Sequence, residues 1–391
     1  MPERKIEFIG KGFKVHSVSG QDPVIIEAEY TGPVACPDCG SSELRKKDRI
    51  ERELRHESMG RRKCWLHLTL HKYRCEACNR YFRARMPGIL PYKRSTEHFR
   101  REVCLNHRDG ISQAQLRRNC RIGTATVERW FHDHLELQER MFTGRECPEV
   151  LGIDEHFFSR RKGYVTTFCD LKKHRVFELA MGRTHDALEP FLLSLKGREG
   201  VKVVCIDLSS SYRAIVRKYF PNARIVSDRF HVIRTVLRHF LEGWKQLDPE
   251  GRRNRGLLSL MRRHGSKLHP DQRERLDRYF DEHPAIKELY KAKESLCALL
   301  NIRHRTKKAC QPLIKRLLNW IWKLRYSGSP AMETLADTLE NWSSEIACMW
   351  RFTKNNAITE GFHTKMEMIQ RRAYGFKNFE NYRLRVIVLC G

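Results

Sequence analysis

Three short apolar runs in the middle of the chain each finish on an aspartate. They are Val150-Leu151-Gly152-Ile153-Asp154, Val201-Lys202-Val203-Val204-Cys205-Ile206-Asp207 and Ala223-Arg224-Ile225-Val226-Ser227-Asp228. The second is almost unbroken in apolar character, which suits a parallel strand buried on both faces. Between the first two, Gly163 to Asp170 and Arg175 to Ala180 read as the arms of a hairpin turning at Lys172-Lys173. A helix is predicted around Leu188 to Leu195, and another begins at Ser211.

Three strands, a helix and two strand–helix steps follow the ribonuclease-H-like order. In that order the first and fourth strands are neighbours, so Asp154 and Asp207 would face each other across one strand spacing, each at a strand end. Two carboxylates that close repel each other and lose hydration unless a cation lies between them. Oxygen-only ligands with room for water suit Mg2+ or Mn2+. A third acid is expected far downstream, where Asn355 to Glu367 reads as the start of a helix capped by Asn356 or Thr359. Glu360 sits in its first turn, where the helix dipole favours a carboxylate. Gly361 beside it offers no side chain to obstruct a ligand. Glu360, His363, Glu367 and Arg371 form a polar row opposite Phe362, Met366 and Ile369. The chain between Asp228 and Glu360 reads mostly as helix, with most of its tryptophans in the core and basic patches at Arg252-Arg253-Asn254-Arg255 and Arg303-His304-Arg305.

The N-terminal third carries a different chemistry. Cys36-Pro37-Asp38-Cys39-Gly40 and Cys75-Glu76-Ala77-Cys78-Asn79 are two knuckles with a Gly or Asn turn residue after the second thiol. Cys36, Cys39, Cys75 and Cys78 supply four soft ligands for one structural Zn2+, with no position left open for water. The strand-like alternation from Cys64 to His71 between them suits a zinc ribbon, with Cys64 itself as core. Residues 92–135 then read as helical. Ser112 caps a short helix, Arg121-Ile122-Gly123 turns, and Thr124 opens the next helix, which carries Val127 and Trp130 in Val-x-x-Trp spacing. That is the helix-turn-helix pattern, with an ordinary helical hairpin as the competing reading. In the helix-turn-helix reading Thr124, Thr126 and Arg129 reach base edges, while Arg117, Arg118 and Arg121 hold phosphates.

Composition fits such a partner. The chain has 391 residues, 75 Lys and Arg against 47 acids, and a net charge of +28. A surplus of that size points to a polyanion, and double-stranded DNA suits it better than a lipid surface. No apolar run reaches a membrane span, and the N-terminal residues lack the apolar core of a signal peptide, so a cytoplasmic, nucleoid-associated protein is expected. Fourteen cysteines in such a chain suggest metal ligands and buried thiols rather than a disulfide framework.

The stretches LGIDEHFF (151–158), VCIDLSSSYRAIV (204–216), VSDRFHVI (226–233) and NNAITEGFHTKMEMIQRRAYGFKNFENYRLRV (355–386) resemble the bacterial insertion-sequence transposases of the ISL-three family. The resemblance includes the zinc ribbon and helix-turn-helix and spans nearly the whole chain. It implies an acid triad of Asp154, Asp207 and Glu360 holding two Mg2+ (or Mn2+) ions. Asp154 would bridge them, with Asp207 on one and Glu360 on the other. It also implies cleavage at terminal inverted repeats and joining of the 3′-OH ends to target DNA, by a homodimer that pairs two ends. His363 departs from the Asn that many members carry. Asp228-Arg229-Phe230-His231 resembles an acid-x-x-His signature that places His231 at the scissile phosphate. Asp228 is then either part of the catalytic set or a structural partner of His231. The implied domains are a zinc ribbon (1–90), a helix-turn-helix (91–146), a ribonuclease-H-like core (147–232 and 351–391) and an all-helical insertion (233–350). A domesticated DNA-binding regulator and a plain metal-dependent nuclease of the same fold are the alternatives.

Overall fold

A computed structural model describes residues 9–141, 146–352 and 357–391, the side chains of residues 357, 358 and 360 excepted. Asn355 and Asn356 lie outside the described residues. The chain divides into two compact units, residues 1–138 and 139–391.

The first unit opens with a sheet of β1 (Phe13–Ser19), β2 (Val24–Tyr30), β3 (Leu44–Met59), β4 (Arg62–Cys75) and the short β5 (Tyr81–Arg83), in the order β1-β2-β4-β3 with β5 also paired to β4. Period-two burial on β2 and β4 brings Ile26, Ala28, Leu66 and Leu68 into one core with Leu54 and the fully buried Cys64. Three helices follow: α1 (Glu97–Arg108), α2 (Gln113–Cys120) and α3 (Thr124–Arg140). Thr96 caps α1 and also bonds the ring of His56 on β3 at 3.0 Å, so the helices are fastened to the sheet. Phe99, Val103, Leu116 and Val127 form the small core of the three helices. Ser112 caps α2, and Arg121 closes it at φ +54°, a left-handed C-cap. The left-handed residue of the turn between α2 and α3 is therefore Arg121, not Gly123.

The second unit is built on β6 (Val150–Ser159), β7 (Gly163–Asp170), β8 (Arg175–Met181), β9 (Val203–Ile206) and β10 (Arg224–Ser227), in the order β10-β9-β6-β7-β8. β6, β7 and β8 run antiparallel, while β9 is parallel to both β6 and β10. The first and fourth strands are thus neighbours. One face of the sheet (Leu151, Ile153, Phe168, Val204, Ile206) packs on α4 (His185–Ser194) and α5 (Ser210–Tyr219). The other (Phe158, Val165, Cys169, Leu179, Cys205) packs on α14 (Ala357–Arg372) and α15 (Phe379–Cys390).

Between β10 and α14 the described chain is helical. Its helices are α6 (Arg229–Leu247), α7 (Pro249–Arg253), α8 (Arg255–Arg262), α9 (Pro270–Glu282), α10 (Pro284–Leu300), α11 (Lys307–Arg325), α12 (Pro330–Asn341) and α13 (Ser343–Arg351). The base of α6 is anchored by the buried Arg229 guanidinium, which donates to the carbonyls of Leu300 (3.1 Å), Ile302 (3.1 Å) and Met349 (2.6 Å) near the C-terminal ends of α10 and α13. A cation there also meets the negative ends of two helix dipoles. Trp244, Trp342 and Trp350 are core, but Trp322 is 60% exposed.

Two expectations need correction. Asp154 is not at a strand end, because β7 remains an antiparallel partner of β6 as far as Ser159. It stands where the β6–β9 pairing has stopped, at Gly152↔Cys205. Thr359 does not cap α14. The helix has already begun at Ala357, and Thr359 is buried in its first turn beside the Cys169 thiol.

Candidate active site and metal centres

Side chains alternate along β6, so Asp154 shares a face with His156 and Phe158, toward α14 and α15. Asp207 immediately follows β9, and its carbonyl accepts from the Ser209 N–H at 2.7 Å as the chain turns into α5. Asp228 follows β10, its N–H donating to the Ile206 carbonyl at 2.7 Å. That bond holds the ends of β9 and β10 together, so Asp207 and Asp228 meet over the first turn of α6. There the His231 Nδ1 donates to Asp228 Oδ2 at 2.7 Å and makes an ion-pair contact with Asp207 Oδ1 at 2.8 Å. Burial disfavours the imidazolium, but the two carboxylates outweigh it and raise the His231 pKa to about 10.

Asp154 is buried, with 5% of its surface exposed. Its Oδ1 accepts from the Glu155 N–H at 2.8 Å, and Oδ2 faces His363 Nδ1 at 3.7 Å. Burial first, then the charge of Asp207, pushes its pKa up to about 7. The carboxylate oxygens of Asp154 and Asp207 are donors of the kind that suits Mg2+ or Mn2+. His363 brings α14 to this spot, and its buried Nε2 has no hydrogen-bond partner among the described residues. Glu360 lies three residues earlier in the same helix; its side chain is outside the described atoms. Among the described residues, Asp207, Asp228 and His231 form a group whose donor atoms all lie within 4.8 Å of one another; Asp154 stands outside that group.

Residues not anticipated from the sequence brace this site. His156 bonds Thr167 Oγ1 at 3.1 Å through Nδ1 and the Tyr382 hydroxyl at 2.8 Å through Nε2. Burial, then His363, lowers its pKa to about 3, so the ring is neutral. On the opposite face Glu155 accepts from Tyr212 at 2.8 Å and from Arg183 at 3.1 Å. The i, i+2 spacing of Asp154 and His156 was the available signal for the first of these.

In the first unit Cys36, Cys39, Cys75 and Cys78 converge. Cys36 Sγ lies 3.5 Å from Cys78 Sγ, and Cys39 Sγ lies 3.5 Å from Cys75 Sγ. A tetrahedron with Zn–S bonds of about 2.3 Å has edges of roughly 3.8 Å, so the set fits one structural zinc ion. The knuckles are folded alike. Gly40 N–H donates to Cys36 O and Asn79 N–H to Cys75 O, both at 3.0 Å, with Gly40 at φ +73° and Asn79 at φ +60°. Backbone N–H groups, that of Cys39 foremost, lower the Cys36 thiol to about 7. Arg117, Arg118, Arg121 and Arg129 are exposed, and Thr124 and Thr126 are half-buried at the start of α3. No ion pair occupies those four arginines among the described residues.

The first unit thus presents four thiols set for one zinc ion, and the second a cluster of acids on the sheet, one face of which packs on α14 and α15. The family model described as "Transposase", of the DDE type and ISL3 group, matches residues 151–386. A second, the zinc finger of transposases IS204/IS1001/IS1096/IS1165, matches residues 32–78. The chain belongs to the ISL3 family of DDE transposases and is a DNA transposase. It is 24% identical to the transposase for insertion sequence element IS1001 of Bordetella parapertussis over 99% of this chain and 98% of that protein. No helix among the described residues is long and apolar enough to cross a membrane.

Proposed function

We propose that this transposase binds the terminal inverted repeats of an insertion sequence, cuts at the element ends and joins the freed 3′-OH groups to target DNA. The observation that carries the reading is the parallel pairing of β6 with β9, which puts Asp154 and Asp207 on one face of the sheet, with α14 closing over Asp154. The strand order β10-β9-β6-β7-β8 supports a ribonuclease-H-like core. Asp154, Asp207 and Glu360 would hold Mg2+ (or Mn2+), which when bound supplies Lewis-acid activation of an attacking oxygen and charge stabilisation on phosphorus.

The chain's own groups do the rest. Asp228 fixes the orientation of the His231 imidazolium, which leaves the Nε2–H as the donor that faces a phosphate or leaving oxygen. Burial of Asp154 excludes water from one side of the acid pair. In the first unit, α2 and α3 act as a helix-turn-helix. Arg117, Arg118 and Arg121 position the duplex, while Thr124, Thr126 and Arg129 read bases in the major groove. Two ends must be held at once, so the working form is a homodimer.

The test is a strand-transfer assay with duplexes carrying the inverted repeats from the flanking DNA. The wild-type protein is expected to release 3′-OH ends and insert them into a target. Asp154→Asn, Asp207→Asn and Glu360→Gln should each lose both activities. Cleavage without joining would assign a nuclease instead, and sequence-specific binding by a chain that never cuts would assign a regulator.

A further inference from the structure

The outer face of α11 combines features that a solvated helix does not need. Residues 295–332 contain eight Lys and Arg and no Asp or Glu. α11 turns Cys310, Leu313, Leu317, Ile321 and Leu324 inward. At about 100° per residue, Lys308, Lys315, Asn319, Trp322 and Tyr326 fall together on the opposite side. Trp322 is 60% exposed and Tyr326 70%, and their rings lie 5.3 Å apart. Leu318 and Ile314 extend the row at 48% and 37%. Lys308, Lys315 and Lys323 make no ion pair among the described residues. Arg325 does, with Asp337 at 2.8 Å and Glu340 at 2.6 Å, and it sits at the edge of this face toward α12.

The chemistry of the face selects its occupant. A second copy docked through a two-fold axis would bring like charges together, because the acids at the edge, Asp337 and Glu340, are already paired with Arg325. A strand of nucleic acid satisfies both components: ammonium groups meet phosphates, and flat rings meet bases or sugars. From Lys308 to Tyr326 the face is about 27 Å long, the axial length of roughly eight base pairs. We propose that the outer face of α11 is a second DNA-contacting surface of this transposase, additional to the first unit, with Trp322 and Tyr326 stacking on unpaired bases beside phosphates held by Lys308, Lys315 and Lys323. The inference rests on DNA being the substrate.

Two variants of the full chain test it: W322A/Y326A and K308Q/K315Q/K323Q, all at exposed positions and expected to melt like the wild type. Each is titrated by fluorescence anisotropy over a salt series with a short duplex and with the same duplex bearing a single-stranded tail. The lysine variant should lower the slope of log affinity against log salt by roughly two to three, about 0.9 for each lost phosphate. W322A/Y326A should weaken binding of the tailed duplex roughly tenfold or more and the blunt duplex much less. Unchanged slope and affinity in both variants, beside a wild type that binds DNA, would overturn the α11 assignment alone. A wild type that binds neither duplex would overturn the proposed function as well. A W322A/Y326A protein that sediments as a smaller species while binding DNA normally would give the face to a second copy.

Discussion

The Nε2 atom of His156 lies 2.8 Å from the Tyr382 hydroxyl, across 226 residues of sequence. His156 is two residues beyond Asp154 on the same face of β6, and Tyr382 is on α15, so this bond ties the strand carrying the first acid to the helix pair that covers it. The neutral ring donates from one nitrogen and accepts at the other, between two hydroxyls. Tyr382→Phe keeps the ring packing on Phe158 and Phe376 but leaves a buried nitrogen unpaired. We expect a loss of about 1–3 kcal/mol in denaturant unfolding. An unchanged midpoint would mean the hydroxyl is not part of the brace.

Without divalent cation the acid site should make stability depend on pH in two windows. Asp154 is raised from 3.8 to about 7, so the folded protein holds a proton that the unfolded chain releases, and stability falls as pH rises between those values. His231 is raised from 6.5 to about 10, so its contribution is complete below 6.5 and lost as pH rises toward 10. Asp154→Asn should remove the lower window, worth on the order of a few kcal/mol, and leave the upper one. Unfolding free energies measured from pH 4 to 10 in buffer free of magnesium and manganese decide this. A D154N protein with the wild-type slope below pH 7 would contradict it.

Metal analysis of the purified protein should give about one zinc per chain, as four filled ligands require. Cys36→Ser or Cys75→Ser should release it and expose residues 30–85 to protease. The second unit, whose core shares no residue with the ribbon, should resist as before. Cleavage spread evenly over both units would argue that zinc does more than fold the ribbon.

If α2 and α3 bind DNA as proposed, loss of phosphate contacts and loss of base contacts separate experimentally. R117A/R118A should weaken binding of all duplexes alike and lower the salt slope by roughly two. Thr126→Ala and Arg129→Ala should instead cost about 1–3 kcal/mol of discrimination on the inverted repeat and little on random DNA. If the two sets behave identically, α3 is not the reading helix.

Much of this architecture is legible from local pattern. Apolar runs with two-residue alternation locate β6 to β8, and the unbroken run at 203–206 gives a strand buried on both faces. The knuckles declare themselves because thiol spacing and the Gly40 and Asn79 turns are short-range features. What escapes is set by partners distant in sequence. Asp154 lies mid-strand because β7 extends the ladder, and nothing near residue 154 reveals it. The Asp207–His231–Asp228 contacts depend on two strand ends meeting, and the His156–Tyr382 bond on α15 folding back. Arg121 in a left-handed cap runs against its intrinsic preference and is tolerated where the turn demands it.

The insertion also has a consequence in time. Asp154 and Asp207 leave the ribosome well before α14, and the 153 residues from Asp207 to Glu360 take roughly 8–30 s to synthesise at ordinary rates. During that interval Phe158, Val165, Cys169 and Leu179 lack their α14 and α15 cover. The nascent chain therefore passes through a stage in which its first unit is already made, while the sheet of the second is bare, adhesive and, on the proposed assignment, short of its third acid. Chaperone capture, rather than DNA cutting, is what such an intermediate is suited for.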